Sequence, residues 1–376
     1  MPKPFTFGIV GGSGAAGKAA VSALHKSASG NLLIGGRDLS KAEAVAAQFD
    51  ARVTAAELDV LDSASLERFC SECTVILNCS GPVCVLQDRV AQAAFRNRCH
   101  YVDPAGLTFV KEAMLPHSRA IADAGLCFVI SAGWMPGLSE LLPVYGHACA
   151  KAKMDTVESI TVYSSDCGDW SRNALLDAAW FLHKRGLAPP GYFHKGVFTR
   201  VKSSAAMRTV ALESPLPSGR FGLYFLPEME EVGRRLNDCD FFSYSYVSGT
   251  STILASMALA LFPLPESLAV RMVRSIFRRN RFAVGGFVRV EVRGRARGQP
   301  SVFSTSITFE PGREYWVHGT TLATVARLVA ESKHFRPGVH YLADAVDPVE
   351  FFTALGSAGI LPTANFDFPN RSSSSR

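Results

Sequence analysis

The chain has 376 residues, 48% of them hydrophobic and 19% charged, with a mean hydropathy of +0.13. This excludes a disordered or low-complexity protein, and the length exceeds what one hydrophobic core usually serves, so two domains are expected. The formal charge is +6 and the isoelectric point about 8.8, which makes the location of the charge the first question about partners. The cysteine count is nine, an odd number with no framework spacing, so reduced thiols and a cytoplasmic location are expected. Cys70-Ser71-Glu72-Cys73 has C-x-x-C spacing, but no second pair or His pair stands at zinc spacing, so no metal is expected. Met1-Pro2-Lys3-Pro4 leads into a strand without a signal-peptide pattern. The longest apolar run, 253–262, is far short of the roughly 20 residues a membrane span needs.

Residues 5–10 form a short apolar strand ending in glycines, followed by an Ala-rich helix over 15–26. A strand over 31–34 precedes a helix over 40–49, with Ser40 as its N-cap. Strands over 53–58, 74–79, 100–103 and 127–131 then alternate with helices over 63–70, 87–96 and 109–124. This alternation implies a parallel sheet with helices on both faces, a Rossmann domain over 1–133. After Gly133 the rhythm changes. Residues 157–165 alternate like a half-exposed strand, 174–185 are helical, and 284–293 and 301–309 read as long antiparallel strands joined by 294–300. Residues 320–332 and 348–358 are helical. The expected fold is α/β: an N-terminal Rossmann parallel sheet with a second α+β domain (134–346) on an open antiparallel sheet. A helix over 347–360 packs back on the first domain, and 361–376 form a Ser-rich tail.

The first strand runs into Gly11-Gly12-Ser13-Gly14-Ala15-Ala16-Gly17, which fits G-x-x-G-x-x-G from Gly11 and G-x-G-x-x-G from Gly12. Glycines at this spacing turn the chain tightly, admit a pyrophosphate against the backbone, and let the helix pack close to its strand. The first N–H groups of that helix then bind phosphate. Placement after the first strand of a β–α series makes the motif a dinucleotide fingerprint. Gly11, Gly12, Ser13, Gly14, Ala15 and Ala16 are the expected phosphate contacts. The second strand ends in Gly35-Gly36-Arg37-Asp38. Nothing acidic occupies the strand end, where an NAD site would hold the ribose 2′-hydroxyl. The Arg37 guanidinium suits a 2′-phosphate, with Lys41 adding charge, so NADP is expected. Asp38, counted among the cofactor contacts, is the counter-signal, and reads as the start of the next helix.

The glycine turn, Gly36-Arg37-Asp38, Leu77-Asn78-Cys79-Ser80-Gly81-Pro82, His100-Tyr101-Val102-Asp103 and Ala132-Gly133-Trp134-Met135-Pro136-Gly137, in that order, resemble the saccharopine dehydrogenase-like reductases. The resemblance is strong over the Rossmann domain and looser beyond it. It implies that Cys79, Ser80, Gly81, Pro82, Pro104 and Ala105 run along the cofactor, and that Trp134, Met135 and Pro136 touch nicotinamide and substrate. The saccharopine reductases carry an Asp in that last turn, as Gly-x-Asp-Pro-Gly. This chain has Met135, which argues against saccharopine itself and for a less polar substrate. The implied activity is that of an NADPH-dependent oxidoreductase, with reduction of a C=N bond in an amino-acid-derived imine favoured. The alternatives are C=C reduction on a carrier-bound acyl chain, and a non-catalytic NADP-binding interaction or membrane-associated protein.

Hydride transfer leaves the protein to supply placement and a proton donor. Asp166, Asp169, Arg172 and Asn173 crowd the loop after the 157–165 strand; Arg172 suits a carboxylate and either Asp an amine. Tyr101 and Asp103 form a second candidate set, His100 is a candidate relay, and Tyr192, Tyr224 and Tyr244 stay open as donors. No G-x-S-x-G, H-E-x-x-H, Walker A or Tyr-x-x-x-Lys pattern supports another enzyme class. Residues 1–133 hold 12 basic and 12 acidic residues, whereas 271–297 hold nine arginines against Glu291 alone. The excess is local, on a helix expected over 265–281, with Leu268, Met272, Ile276 and Phe277 among its arginines, and on the next strand. It reads as a solvated helix with a charge-protected edge strand, as a docking face for an anionic carrier protein, or as a peripheral membrane contact. No recognition motif accompanies it, so nucleic acid is not expected. A homodimer is expected through the second domain.

Overall fold

The computed structural model describes residues 5–280, 282–331 and 335–367. Its strands, in chain order, are β1 (Thr6–Val10), β2 (Asn31–Gly36), β3 (Val53–Glu57), β4 (Val75–Asn78), β5 (His100–Val102), β6 (Cys127–Ile130), β7 (Thr156–Asp166), β8 (Gly191–His194), β9 (Val197–Arg200), β10 (Met207–Ala211), β11 (Ser218–Leu223), β12 (Asp240–Tyr246), β13 (Gly286–Ala296), β14 (Gln299–Phe309), β15 (Gly338–Tyr341) and β16 (Thr363–Asp367). They divide between two compact units. The first comprises the described residues within 1–138, 170–181 and 312–360, and the second those within 139–169, 182–311 and 361–376.

The first unit is built on a parallel seven-stranded sheet in the order β15-β6-β5-β4-β1-β2-β3. Its central strands β1, β4 and β6 are near-continuous apolar runs, as sheets covered on both faces require. The strand order reverses between β1 and β4, and a crevice at such a switch point, off the carboxyl ends of the strands, is where doubly wound sheets take ligands. The helix expected over 109–124 is broken into Leu107–Met114 and Ser118–Asp123 by a tight turn, Leu115–His117. Pro116, which has no N–H to give an α-helix, accounts for the break. Cys70 and Cys73 lie in the core, and the Cys73 thiol donates to Phe69 O at 3.2 Å.

The unit boundaries differ from those expected. Residues 312–346 join the first unit, because the helix Glu314–Ala330 (expected over 320–332, with 332 outside the described residues) is apolar nearly all round and must be covered on every side. It lies against the first helix, Ala15–Ser27, through small residues. A Cβ on Gly319 would come within 2.5 Å of Ala16 O and of the Ala19 side chain. The tail also differs, since 363–367 pair with β14 as β16, while the Ser-rich residues from 370 lie outside the described residues.

The second unit holds a sheet in the order β10-β11-β12-β7-β13-β14-β16, with β8 and β9 attached to β12. It is mixed rather than purely antiparallel. β12 runs parallel to β7 because the chain between them crosses over instead of turning back as a hairpin. The long strands β13 and β14 are joined not by a loop over 294–300 but by Arg297-Gly298 alone, both at positive φ (54° and 74°). That is the two-residue hairpin turn whose twist matches its strands. Val288, Val290 and Val292 alternate onto one face, and Gly146 of the helix Leu138–Lys151 lets that helix sit close over it.

Candidate cofactor and active site

Gly11 sits at φ 74° and its N–H donates to Gly35 O at 2.8 Å, which closes β1 onto β2 at the turn. A Cβ on Gly17 would lie 2.4 Å from Gly11 O, so helix and strand approach as closely as backbones allow. Gly14, in extended conformation, is the N-cap of the helix Ala15–Ser27. Gly14 and Ala15 are exposed, and Ser13 and Ala16 half-buried. The first N–H groups of a helix lack intrahelical acceptors and carry the positive end of its dipole. The cradle therefore fits a dinucleotide pyrophosphate.

At the end of β2, Arg37 is exposed. Asp38, not Ser40, caps the next helix: its carboxylate accepts from Ser40 Oγ at 2.6 Å and Lys41 N at 3.2 Å, and pairs with Lys41 Nζ at 2.9 Å. These bonds, that from Ser40 first, hold its pKa down to about 2. The carboxylate that would count against a 2′-phosphate is engaged in capping, and so is the Lys41 charge, which leaves Arg37 as the cation at the strand end.

The carboxyl edge of β4, β5 and β6 carries a linked polar set. Asn78 Nδ2 donates to the Tyr101 hydroxyl at 3.1 Å, and Asn78 Oδ1 accepts from Ser80 N at 3.1 Å and Ser80 Oγ at 2.5 Å. Tyr101 is buried and its pKa stands well above the usual value, burial being the main cause. Asp103, 2% exposed, accepts from the backbone N–H of Gly106 and from Ser131 N at 3.1 Å. Burial pushes its pKa up to about 6, against the opposing pull of those N–H groups and of the Tyr101 hydroxyl. Pro104 and Ala105 follow it, half-buried. Cys79 is half-buried and its thiol is pushed up to about 12, by burial first and by Asp103 second. Gly81 O accepts from Asn173 Nδ2 at 2.9 Å, and the half-buried turn after Pro82 is held by Asp177, whose two carboxylate oxygens accept from Val83 N (2.9 Å) and Cys84 N (3.0 Å). Nothing local in the sequence marks Asp177, because it reaches its partners across more than ninety positions.

The turn after β6 closes on itself, with Gly133 N donating to Pro136 O at 3.1 Å and Leu138 N to Gly133 O at 3.0 Å. Trp134 and Pro136 are buried, so of the three expected substrate contacts only Met135 is partly exposed. Behind the turn lies His318, which sequence reasoning does not find. Gly133 makes room for it, since a Cβ there would lie 2.5 Å from the ring and 2.5 Å from Pro104 O. His318 Nδ1 accepts from Trp134 N at 3.3 Å. A backbone N–H can only donate, so the neutral ring carries its proton on Nε2, which is buried and meets no hydrogen-bond partner among the described residues. Burial lowers the His318 pKa to about 4. Trp170 and Tyr315 pack on the ring at 5.2 Å and 6.5 Å between centroids, and Ser171 N donates to the Tyr315 hydroxyl at 2.7 Å.

The remaining candidates separate. His100 opens β5 at the opposite edge of the sheet, where its Nδ1 accepts from Cys127 N at 3.1 Å. Arg172 is exposed in the first unit. Asp166 and Asp169 belong to the second unit, where Asp166 is buried and accepts from Gly168 N at 2.6 Å and Asp169 is exposed. Tyr192 stacks on Phe242, and Tyr244 lies under the Arg208 guanidinium, also in the second unit, as does Tyr224. Among the described residues one trio of metal-ligand types converges: His147, Asp238 and Cys239. Lys151 Nζ already sits 2.8 Å from Asp238, and the Cys239 thiol is pushed up to about 12, mainly by burial, which does not suit a cation.

The fold and this edge define a dinucleotide-binding protein of the Rossmann class. Residues 7–129 match the family model of the saccharopine dehydrogenase NADP-binding domain. The human "Saccharopine dehydrogenase-like oxidoreductase" is 23% identical over 174 residues, a match spanning 46% of this chain and 38% of that protein. The apo saccharopine dehydrogenase (L-Glu forming) of Saccharomyces cerevisiae superposes over 97% of this chain and 100% of its own with a TM-score of 0.65, at 13% identity. The fold is thus shared along nearly the whole length. Residues 7–129 are an NADP-binding domain similar to that of saccharopine dehydrogenase, and the chain spans well under half the length of the human relative it matches.

Proposed function

We propose that this protein is an NADPH-dependent reductase of a C=N bond in an amino-acid-derived imine. The observation that carries the reading is the hydrogen-bonded polar edge of β4, β5 and β6 beside a turn shaped for a dinucleotide pyrophosphate. Bound NADPH supplies the hydride. The chain's own residues bind and position. The N–H groups after Gly12 hold the phosphates, and Arg37 holds the 2′-phosphate. An amide cannot relay a proton, so Asn78 with Tyr101 fixes the Ser80 turn rather than feeding a proton through it. Asp103 titrates near neutrality, yet its bonds to the N–H groups of Gly106 and Ser131 make it a positioning residue for both loops. His318, neutral above about pH 4, offers an N–H as a hydrogen bond and is no general acid at neutral pH. Asp166 or Asp169 is proposed to hold the substrate amine, and Arg172 its carboxylate.

A second reading, C=C reduction on an acyl chain, is favoured by one observation: Met135 puts a partly exposed apolar side chain in the middle of the substrate turn. NADPH oxidation followed in parallel on imines formed from amino acids with 2-oxo acids, and on enoyl thioesters, separates the two. Turnover on the imines alone is expected. Turnover on the thioesters alone would replace the first reading by the second, and NADPH binding without turnover on either would leave a non-catalytic NADP protein.

A further inference from the structure

We propose that a helical hairpin in the second unit, residues 250–279, docks this protein peripherally onto an anionic lipid surface. The hairpin consists of the helices Thr250–Leu261 and Glu266–Arg279, packed against each other. The first is apolar along its length but buries only Thr252, Leu259 and Ala260. Leu254 is 61% exposed, Met257 38% and Leu261 52%, and their spacing of three and four residues puts them on one helix face. The stripe runs into the hairpin tip, where Phe262 is 59% exposed and Pro263 exposed, and Leu268 continues it at 37%.

The second helix adds a stripe of the opposite kind. Arg271, Arg274 and Arg278 recur at the same spacing of three and four, and Arg279 lies beside them. Arg271, Arg278 and Arg279 are exposed, and none of the four forms an ion pair among the described residues. Over 250–280 the only acidic residue is Glu266. Elsewhere in the same basic stretch three arginines are matched: Arg289 and Arg293 by Glu291, and Arg295 by Glu158. The unmatched charge among the described residues of this stretch is thus concentrated on the hairpin, next to its exposed apolar stripe, with Arg297 the one further case.

Side chains of Leu, Met and Phe left in water at a hairpin tip gain free energy by entering an apolar medium, and adjacent arginines gain by meeting anionic headgroups while their stems stay apolar. A second copy of the chain is the poorer occupant, because a two-fold contact through this face would set arginine against arginine. No helix among the described residues is long and apolar enough to cross a membrane, so the contact is with the surface.

The test is sedimentation of the full chain with phosphatidylcholine vesicles, with and without phosphatidylserine. Pelleting with the serine-containing vesicles, weakened by salt, is expected. Each arginine near such a surface contributes about 1 kcal/mol, so R271E/R274E/R278E should bind roughly a hundredfold more weakly. L261S/F262S should bind roughly tenfold more weakly. Both variants should bind NADPH as the parent does, which shows that the chain is still folded. The proposal is overturned if the parent ignores the anionic vesicles, or if the triple variant pellets equally well. It is overturned too if the parent binds only soluble polyglutamate, or is an oligomer that L261S/F262S dissociates without any vesicle binding, since the occupant is then an acidic protein or a second copy.

Discussion

The two compact units treat charge in opposite ways. In the first, acids and bases balance over 1–133, and the polar groups of the candidate site are buried beside backbone partners. Burial raises the pKa of Asp103 and lowers that of His318, so each moves toward its uncharged form. In the second unit, the basic stretch keeps much of its charge in water. Exposed Arg293 pairs with the half-buried Glu291, Arg295 pairs with Glu158 at exposed positions, where such pairs contribute little stability, and the hairpin arginines meet no acid among the described residues. A fixed cofactor is met by dipoles and hydrogen-bond donors set in place beforehand in a low-dielectric edge. A surface that meets an extended partner keeps its charge hydrated until contact.

The largest effect expected in the first unit comes from Gly17→Val. The new side chain would stand 2.4 Å from Gly11 O and 2.5 Å from Gly12 Cα, so the helix must leave its strand. NADPH and NADH binding should vanish together in a titration followed by cofactor fluorescence, with a lower unfolding midpoint. Retained affinity for either would show that the turn is not the phosphate site.

Next come the two buried titrating groups, whose contributions have opposite signs. Asp103 binds its proton more tightly folded (about 6) than unfolded (about 3.8), so its contribution to stability falls as pH rises between those values. His318 binds its proton less tightly folded (about 4) than unfolded (about 6.5), so its contribution is lost as pH falls through that window. Each amounts to about 3 kcal/mol and they nearly cancel, which leaves the parent with a flat profile from these two groups between pH 4 and 6. Urea unfolding should show D103N losing stability on acidification, because only the His318 term is left. H318Q should instead gain stability as pH drops to 4. Parallel profiles for both variants and the parent would mean that neither group is buried as described.

What the sequence shows and what it hides differ in the same two-sided way. The β–α alternation up to 131 and the glycine turn are legible because period and spacing are local properties, and so is the place of Arg37 at the end of a strand. The helix Glu314–Ala330 is misassigned to the second domain because what decides its place is Gly319 against Ala16, a contact 303 positions apart. His318 and Asp177 are missed for the same reason: each acts on backbone N–H groups, at Trp134 and at Val83 and Cys84, that lie far off in sequence. The parallel pairing of β12 with β7 likewise depends on a long crossover. Asp38 shows the converse. Its capping role is decided by Ser40 and Lys41, two and three residues on; the sequence places Asp38 at the helix start but puts the cap at Ser40.

Arg37→Ala is the smallest and most selective of these changes. Arg37 is exposed, so its removal leaves no cavity and no buried partner unpaired, and the unfolding midpoint should stay where it is. A charge-assisted bond to a phosphate contributes about 1.5–3 kcal/mol, and exposure places this one at the lower end, so NADPH should bind roughly tenfold more weakly. NADH, which has a 2′-hydroxyl at that point, should bind as before. The loss should shrink in high salt, because screening already weakens the parent's contact there. Asp38→Asn gives the matching control. If the carboxylate only caps its helix, both cofactors keep their affinities. A selective loss of NADH would instead make Asp38 a ribose ligand, and the strand end of β2 would then favour the cofactor without the phosphate.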